Sequence, residues 1–284
     1  MKLYIHFGIY KAGSSYLQYI CANQRDYLLA NKIFFPPSKE DQKMKAGLIS
    51  KGNAQVLNKA LQANNTKKLR LLLQQWLEDA KNANAEIVLI SSEALIHQLA
   101  DNTQFNFMIT ATKSVGFTTI KTMGFFRDLA DHALSTYKHR AKSGKHLNYK
   151  HWINHKYETP KLLENLGRVI SKNKEVEWTL RKFKKDSEFL KKVFFKDWLG
   201  VDVPVFTTRP HVNESVTLSE VKLLTTLKHI YPFVIDFFVE DLKDLPKKRK
   251  AKDVELENYV FNIFVTQLNR YSKTLNMLNN FFPT

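Results

Sequence analysis

The chain is poor in the residues that punctuate or cross-link a fold. Its 284 residues include one cysteine, Cys21, so neither a disulfide framework nor a cysteine-rich zinc site is available. The single thiol fits a reducing compartment, and a cytoplasmic location is the expectation. Only 9 glycines and 8 prolines are present, with no low-complexity tract, which excludes a collagenous or disordered chain. Long apolar runs are also missing. The most apolar stretch, 231–239 (YPFVIDFFV), is far short of the roughly 20 residues needed to cross a bilayer, so no membrane span is expected. The opening MKLYIHFGIYKAG alternates apolar and polar residues and lacks the small-residue cleavage site of a secretory leader. Acidic residues are few, 27 against 44 lysines and arginines, for a net charge of +17.

What is present is enough apolar surface for a sizeable core, with 44% hydrophobic and 12% aromatic residues. The positive charge is concentrated between residues 138 and 200, which hold 17 basic and 7 acidic side chains. Such a surface attracts anions, whether glycans, phosphorylated cofactors, lipid headgroups or nucleic acid, and also serves as a plain solvated face. A second basic run, residues 246–252 (PKKRKAK), reads as a linker.

Apolar patterning predicts strands at 2–8, 32–36, 86–90, 117–126 and 175–183, with Pro36 ending the second. Helices are expected from about Ser14, over 54–82, a short one from Ser91-Ser92-Glu93 where serine is a good cap, over 128–142 and over 186–199 with Gly200 closing the last. Further helices are expected over 217–230 and 254–278. Strands alternating with helices point to an α/β fold with a central parallel sheet flanked by helices. The expected organisation is one domain over 1–284, with an α/β core at 1–205 and a mainly helical C-terminal extension at 206–284.

Three strand ends carry candidate chemistry. Gly8-Ile9-Tyr10-Lys11-Ala12-Gly13-Ser14-Ser15 keeps the glycine spacing of a phosphate-cradling loop between a strand and a helix. Ser14 stands where a Walker lysine would be, and the lysine lies inside the loop as Lys11. The strand near Ile90 ends in Ser91-Ser92-Glu93 and offers no Walker B aspartate for magnesium. Arg127 and Asp128 close another strand, and Ser135 follows eight residues after Arg127. An arginine fork suits a phosphate dianion, a serine further along the helix adds a hydroxyl, and Asp128 reads as a helix cap.

The run Lys11-Ala12-Gly13-Ser14-Ser15-Tyr16-Leu17 resembles the 5′-phosphosulfate loop of sulfotransferases that use 3′-phosphoadenosine-5′-phosphosulfate (PAPS). In that family the loop is commonly Pro-Lys-x-Gly-Thr-Thr-x-Leu, so Tyr10 replaces the proline and two serines replace the threonines. Arg127 with Ser135 is similar to the family's 3′-phosphate site, although Leu129 stands where proline is common. Ser-Ser-Glu at a strand end is similar to the segment carrying the family's base. The resemblance covers most of residues 2–145 and thins beyond.

It implies a P-loop-like sulfotransferase fold and PAPS as donor, leaving 3′,5′-adenosine bisphosphate, with transfer to a hydroxyl or amine of a glycan or other anionic acceptor and no metal. It further implies Lys11 and Glu93 as catalytic residues. Lys11, Ala12, Gly13, Ser14, Ser15, Tyr16, Arg127, Ser135 and Phe183 would be the nucleotide contacts, with Phe183 either flanking the adenosine or packing in the core. His6 and His97 are alternative bases. His151 and His155, four apart, lack a third metal ligand. The rival readings are a kinase-like P-loop protein and a basic nucleic-acid-binding protein; no nucleic-acid-binding module is recognisable, and nucleic acid is not the expected partner.

Overall fold

The computed structural model describes residues 1–141, 148–205, 217–222 and 253–271. The expected basic run at 246–252, the apolar stretch at 231–239 and most of the 217–230 helix lie outside them. The chain divides into two compact units, each built from separate stretches of sequence. The first comprises residues 1–127, 161–212 and 276–284, and the second 128–160 and 213–275.

The first unit is an α/β layer structure around five parallel strands: β1 (Lys2–Gly8), β2 (Ile33–Phe34), β3 (Ile87–Ser91), β4 (Thr119–Phe126) and β5 (Glu177–Lys182), in the order β2-β3-β1-β4-β5. β1 is central and buried on both faces, with Leu3, Ile5, Phe7 and His6 all inaccessible to solvent. This is why it reads as a nearly continuous apolar run. Its register sets Ile5 opposite both Ile90 and Thr122.

The connections decide where a ligand can bind. From β1 the chain travels to β2 on one side, whereas from β3 it crosses to β4 on the other. Adjacent β1 and β3 therefore send their loops in opposite directions at their carboxyl ends, which opens a crevice there.

Helices α1 (Ser14–Asn23), α2 (Arg25–Ala30), α3 (Asp41–Lys45), α4 (Gln55–Gln62), α5 (Thr66–Asn82), α6 (Leu95–Leu99) and α7 (Asn102–Ser114) fill the connections up to β4. The single helix expected over 54–82 is two. Asn64 takes a left-handed conformation (φ 49°), and the Asn65 side chain accepts the Lys68 N–H to start α5 afresh. α5 buries Leu69, Leu73, Trp76, Leu77 and Ala80, as the helical spacing predicts. Ser92 does not cap a helix; its hydroxyl donates to the Lys51 carbonyl at 2.8 Å, and α6 begins three residues later.

In the second unit lie α8 (Leu129–Ala141), α9 (Tyr149–His155) and α12 (Asp253–Leu268), while α10 (Thr159–Lys172) runs from the second unit into the first. Asp128 caps α8 as expected, accepting the Ala130 N–H at 3.0 Å. Tyr137, Tyr149 and Trp152 pack their rings around Phe264. His132 is buried beside them and hydrogen-bonds Tyr157, whose hydroxyl donates to the Leu129 carbonyl. In the first unit, α11 (Ser187–Lys191) continues into a π-helical turn at Lys192–Leu199 that Gly200 ends at φ 73°. The expected 186–199 helix thus forms with a widened second half, which sets Trp198 against Tyr4 and Phe194.

Two glycines with nearly the same backbone separate conformational from steric demand. Gly52 (φ 71°) lies so close to β3 that a Cβ would fall 2.0 Å from the Ser91 carbonyl oxygen, whereas a Cβ on Gly200 (φ 73°) meets nothing within 4 Å. Gly200→Ala is expected to cost about 1 kcal/mol, the penalty of a side chain at positive φ. Gly52→Ala is expected to cost about 3 kcal/mol or more, because backbone must move. Urea denaturation of the two variants measures the difference.

Candidate functional site

The loop after β1 turns the chain into α1 through two left-handed residues, Lys11 (φ 64°) and Gly13 (φ 85°). At Gly13 a side chain is also excluded by packing, since a Cβ would sit 3.0 Å from both Phe183 and Leu190. The Gly13 carbonyl accepts the N–H groups of Tyr16 and Leu17. The N–H groups of Ala12, Gly13, Ser14 and Ser15 have no acceptor among the described residues. The Ser14 side chain is buried, and its hydroxyl makes no hydrogen bond of good geometry. A cluster of N–H donors without acceptors among the described residues at the start of a ten-residue helix, with a lysine in the same turn, suits an anion.

Glu93 faces this loop from the end of β3. Burial pushes its carboxyl up from 4.5 to about 7, and the nearby Ser14 hydroxyl and Lys11 ammonium hold it back from rising further. A carboxyl tuned to neutrality beside an anion-receiving loop can accept or donate a proton at physiological pH.

On the other side of β1, the register pairs Gly8 with Phe125, so Arg127 emerges beside the same loop. The Phe183 N–H donates to the Phe126 carbonyl at 2.6 Å, carrying the β4–β5 pairing past the strand end. Its ring then touches Gly13 and receives the Arg127 guanidinium at 5.9 Å from the ring centre. Lys11, Ala12, Gly13, Ser14, Ser15, Tyr16, Glu93, Arg127 and Phe183 therefore gather at the carboxyl edge of β1, β3, β4 and β5. Ser135 lies half-buried on α8, in the second unit.

The alternative bases differ in setting. His6 is wholly buried, accepts or donates a hydrogen bond at 2.8 Å with Ser91 Oγ, and is held neutral by burial, down to about 3. It is a core histidine. His97 is exposed, one turn beyond Glu93, with its ring 6.5 Å from that of Tyr10. The rings of His151 and His155 lie 4.8 Å apart on α9, tilted by 36°, and among the described residues no three His, Cys, Asp or Glu side chains group to hold a metal. A surface groove of about 470 Å3 between α9 and α12, with Lys150, Asn154, Tyr259 and Thr266 on its walls, contains none of the residues expected from the sequence.

Residues 50–53 carry no recognisable motif, yet together with Ala54 they bind the end of β3. Ser50 bonds Gln18, which donates to Ser91 Oγ, and the Ala54 N–H reaches the Ser91 carbonyl. Their only sequence signal is the turn-like Lys51-Gly52-Asn53.

No family model, curated protein or solved structure matches the chain. Among the described residues no helix is long and apolar enough to cross a membrane.

Two outcomes test the site's physical state. Lys11 pays a left-handed backbone penalty, so Lys11→Gly is expected to be more stable than Lys11→Ala by about 1 kcal/mol, read from urea midpoints. Glu93 binds its proton more tightly folded than unfolded. Its contribution is fully present below pH 4.5 and is lost as the pH rises through about 7. Across that window the wild type should lose stability relative to Glu93→Gln, by at most about 3 kcal/mol and by less to the extent that water reaches the carboxyl. Melting curves from pH 4 to 8 measure it.

Proposed function

We propose that the protein is a PAPS-dependent sulfotransferase acting by in-line transfer to an acceptor hydroxyl or amine. The observation that carries this reading is the convergence of a loop of N–H groups without acceptors among the described residues, Lys11, a neutral-range Glu93 and Arg127 on one sheet edge. The residues fit a doubly anionic nucleotide, because N–H groups without acceptors among the described residues and the buried Ser14 side chain lie where a phosphate would satisfy them. PAPS supplies an activated sulfuryl group whose transfer needs positioning and charge neutralisation more than covalent help from the protein.

Each side chain then has a task. Ala12, Gly13, Ser14 and Ser15 donate N–H groups, and the two serines hydroxyls, to the 5′ group, with Tyr16 following in the first turn of α1. Lys11 neutralises charge at that end. Arg127 grips the 3′-phosphate, joined by Ser135 on the strength of the resemblance, and Phe183 lines the nucleotide while fixing the arginine. Glu93 takes the acceptor's proton, a role suited to a carboxyl that titrates near 7. The basic stretch from 138 to 200 favours an anionic acceptor such as an acidic glycan.

Thermal melting with 3′,5′-adenosine bisphosphate tests the reading. At a hundredfold excess over Kd the nucleotide should stabilise the fold by about 2.7 kcal/mol. AMP should do so less well, and Arg127→Ala should abolish the preference, a loss of about 1.5–3 kcal/mol. Equal stabilisation by AMP, or stabilisation by Mg–ATP alone, would overturn it.

A further inference from the structure

β2 is too short to protect β3. Its two residues pair Ile33 with Ile87 and Phe34 with Val88, and the register carried forward sets Pro36 opposite Ile90. A strand residue in that place would donate its N–H to the Leu89 carbonyl and accept the Ser91 N–H. Proline has no N–H to give.

The Asn53 side chain makes both bonds instead. Its Nδ2 donates to the Leu89 carbonyl at 3.2 Å, and its Oδ1 accepts the Ser91 N–H at 2.7 Å. The same Nδ2 reaches the Pro36 carbonyl at 3.4 Å. The side-chain amide thus reproduces the pair of contacts of a parallel strand neighbour, with Asn53 only 2% exposed. Around it Gly52 presses on the Ser91 carbonyl, and the Ser92 hydroxyl ties to Lys51. The bonds to Leu89, Ser91 and Ser92 lie within four residues of Glu93.

We infer that Asn53 is a positioning residue for Glu93, its amide serving as a one-residue surrogate strand that fixes the end of β3. The inference rests on the reading of Glu93 as the base. The charged group acting on that carboxyl is Lys11 from the loop after β1; of the nearby histidines, His97 on α6 has its ring 6.5 Å from that of Tyr10, and His6 on β1 is bonded to Ser91. With the surrogate removed, the strand end loosens, more water reaches the half-buried carboxyl, and the desolvation that raises its proton affinity weakens.

Carboxyl NMR titration of the ligand-free protein tests this, with the Glu93 signal assigned from Glu93→Gln. Asn53→Ala should lower the Glu93 midpoint by about one pH unit or more toward 4.5. It should also speed exchange of the Ser91 amide hydrogen. A purely structural asparagine would lower the melting temperature and leave the Glu93 midpoint in place, and that result in folded Asn53→Ala overturns the inference. If Asn53→Ala does not fold, Asn53→Ser, whose short hydroxyl cannot make both bonds to β3, takes its place, and an unmoved Glu93 midpoint there overturns the inference equally. Failure of the wild type to bind adenosine bisphosphate would sink the sulfotransferase reading, while the ligand-free titration still decides the case of Asn53.

Discussion

The left-handed turn at Lys11 and Gly13 is the constraint on which the site depends. A right-handed path from β1 into α1 would spend the N–H groups of residues 12–15 on local carbonyls. Two residues at positive φ turn those groups the other way, at a cost borne by Lys11 and avoided by Gly13. The same geometry brings the Gly13 backbone against Phe183, and Phe183 against Arg127, so one turn organises both flanks of the crevice.

The opposing wall is made differently. β3 ends in three consecutive residues with separate duties. Ser91 is held by Gln18, His6 and Asn53, Ser92 ties to Lys51, and Glu93 faces the loop. Polar groups this deeply placed are tolerable only when their hydrogen bonds are made. The carboxyl is the member whose charge is least accommodated, and its raised proton affinity reflects that imbalance.

Much of this was legible in the amino-acid order because it rests on local patterns. β1 spans the expected Lys2–Gly8, Asp128 caps its helix and Gly200 ends the π-turn, each dictated by neighbours in the chain. The parallel sheet followed from the alternation of apolar strands and helical periods. The errors have the opposite origin. Asn64 breaks the 54–82 helix by a backbone choice that periodicity does not register, and Ser92 gives its hydroxyl to a carbonyl 41 residues away in place of a cap. Pro36 was readable as a strand end, but not that an asparagine 17 residues later would supply the missing contacts. Lys11, Glu93 and Arg127 were recognisable by type and spacing; the half-buried setting of Glu93 emerges only when three distant segments meet.

The way the two units share the chain has a practical corollary for dissecting it. The second unit takes Asp128–Pro160 from one side of β5 and Asn213–Leu275 from the other, so no single scission yields either unit whole. A chain ended at residue 205 would keep all five strands but strip Phe264 from Tyr137, Tyr149 and Trp152, baring an aromatic surface prone to self-association. Isolating the sheet-bearing half would instead call for excising both insertions and rejoining Arg127 to Lys161 and Val212 to Asn276 through designed linkers.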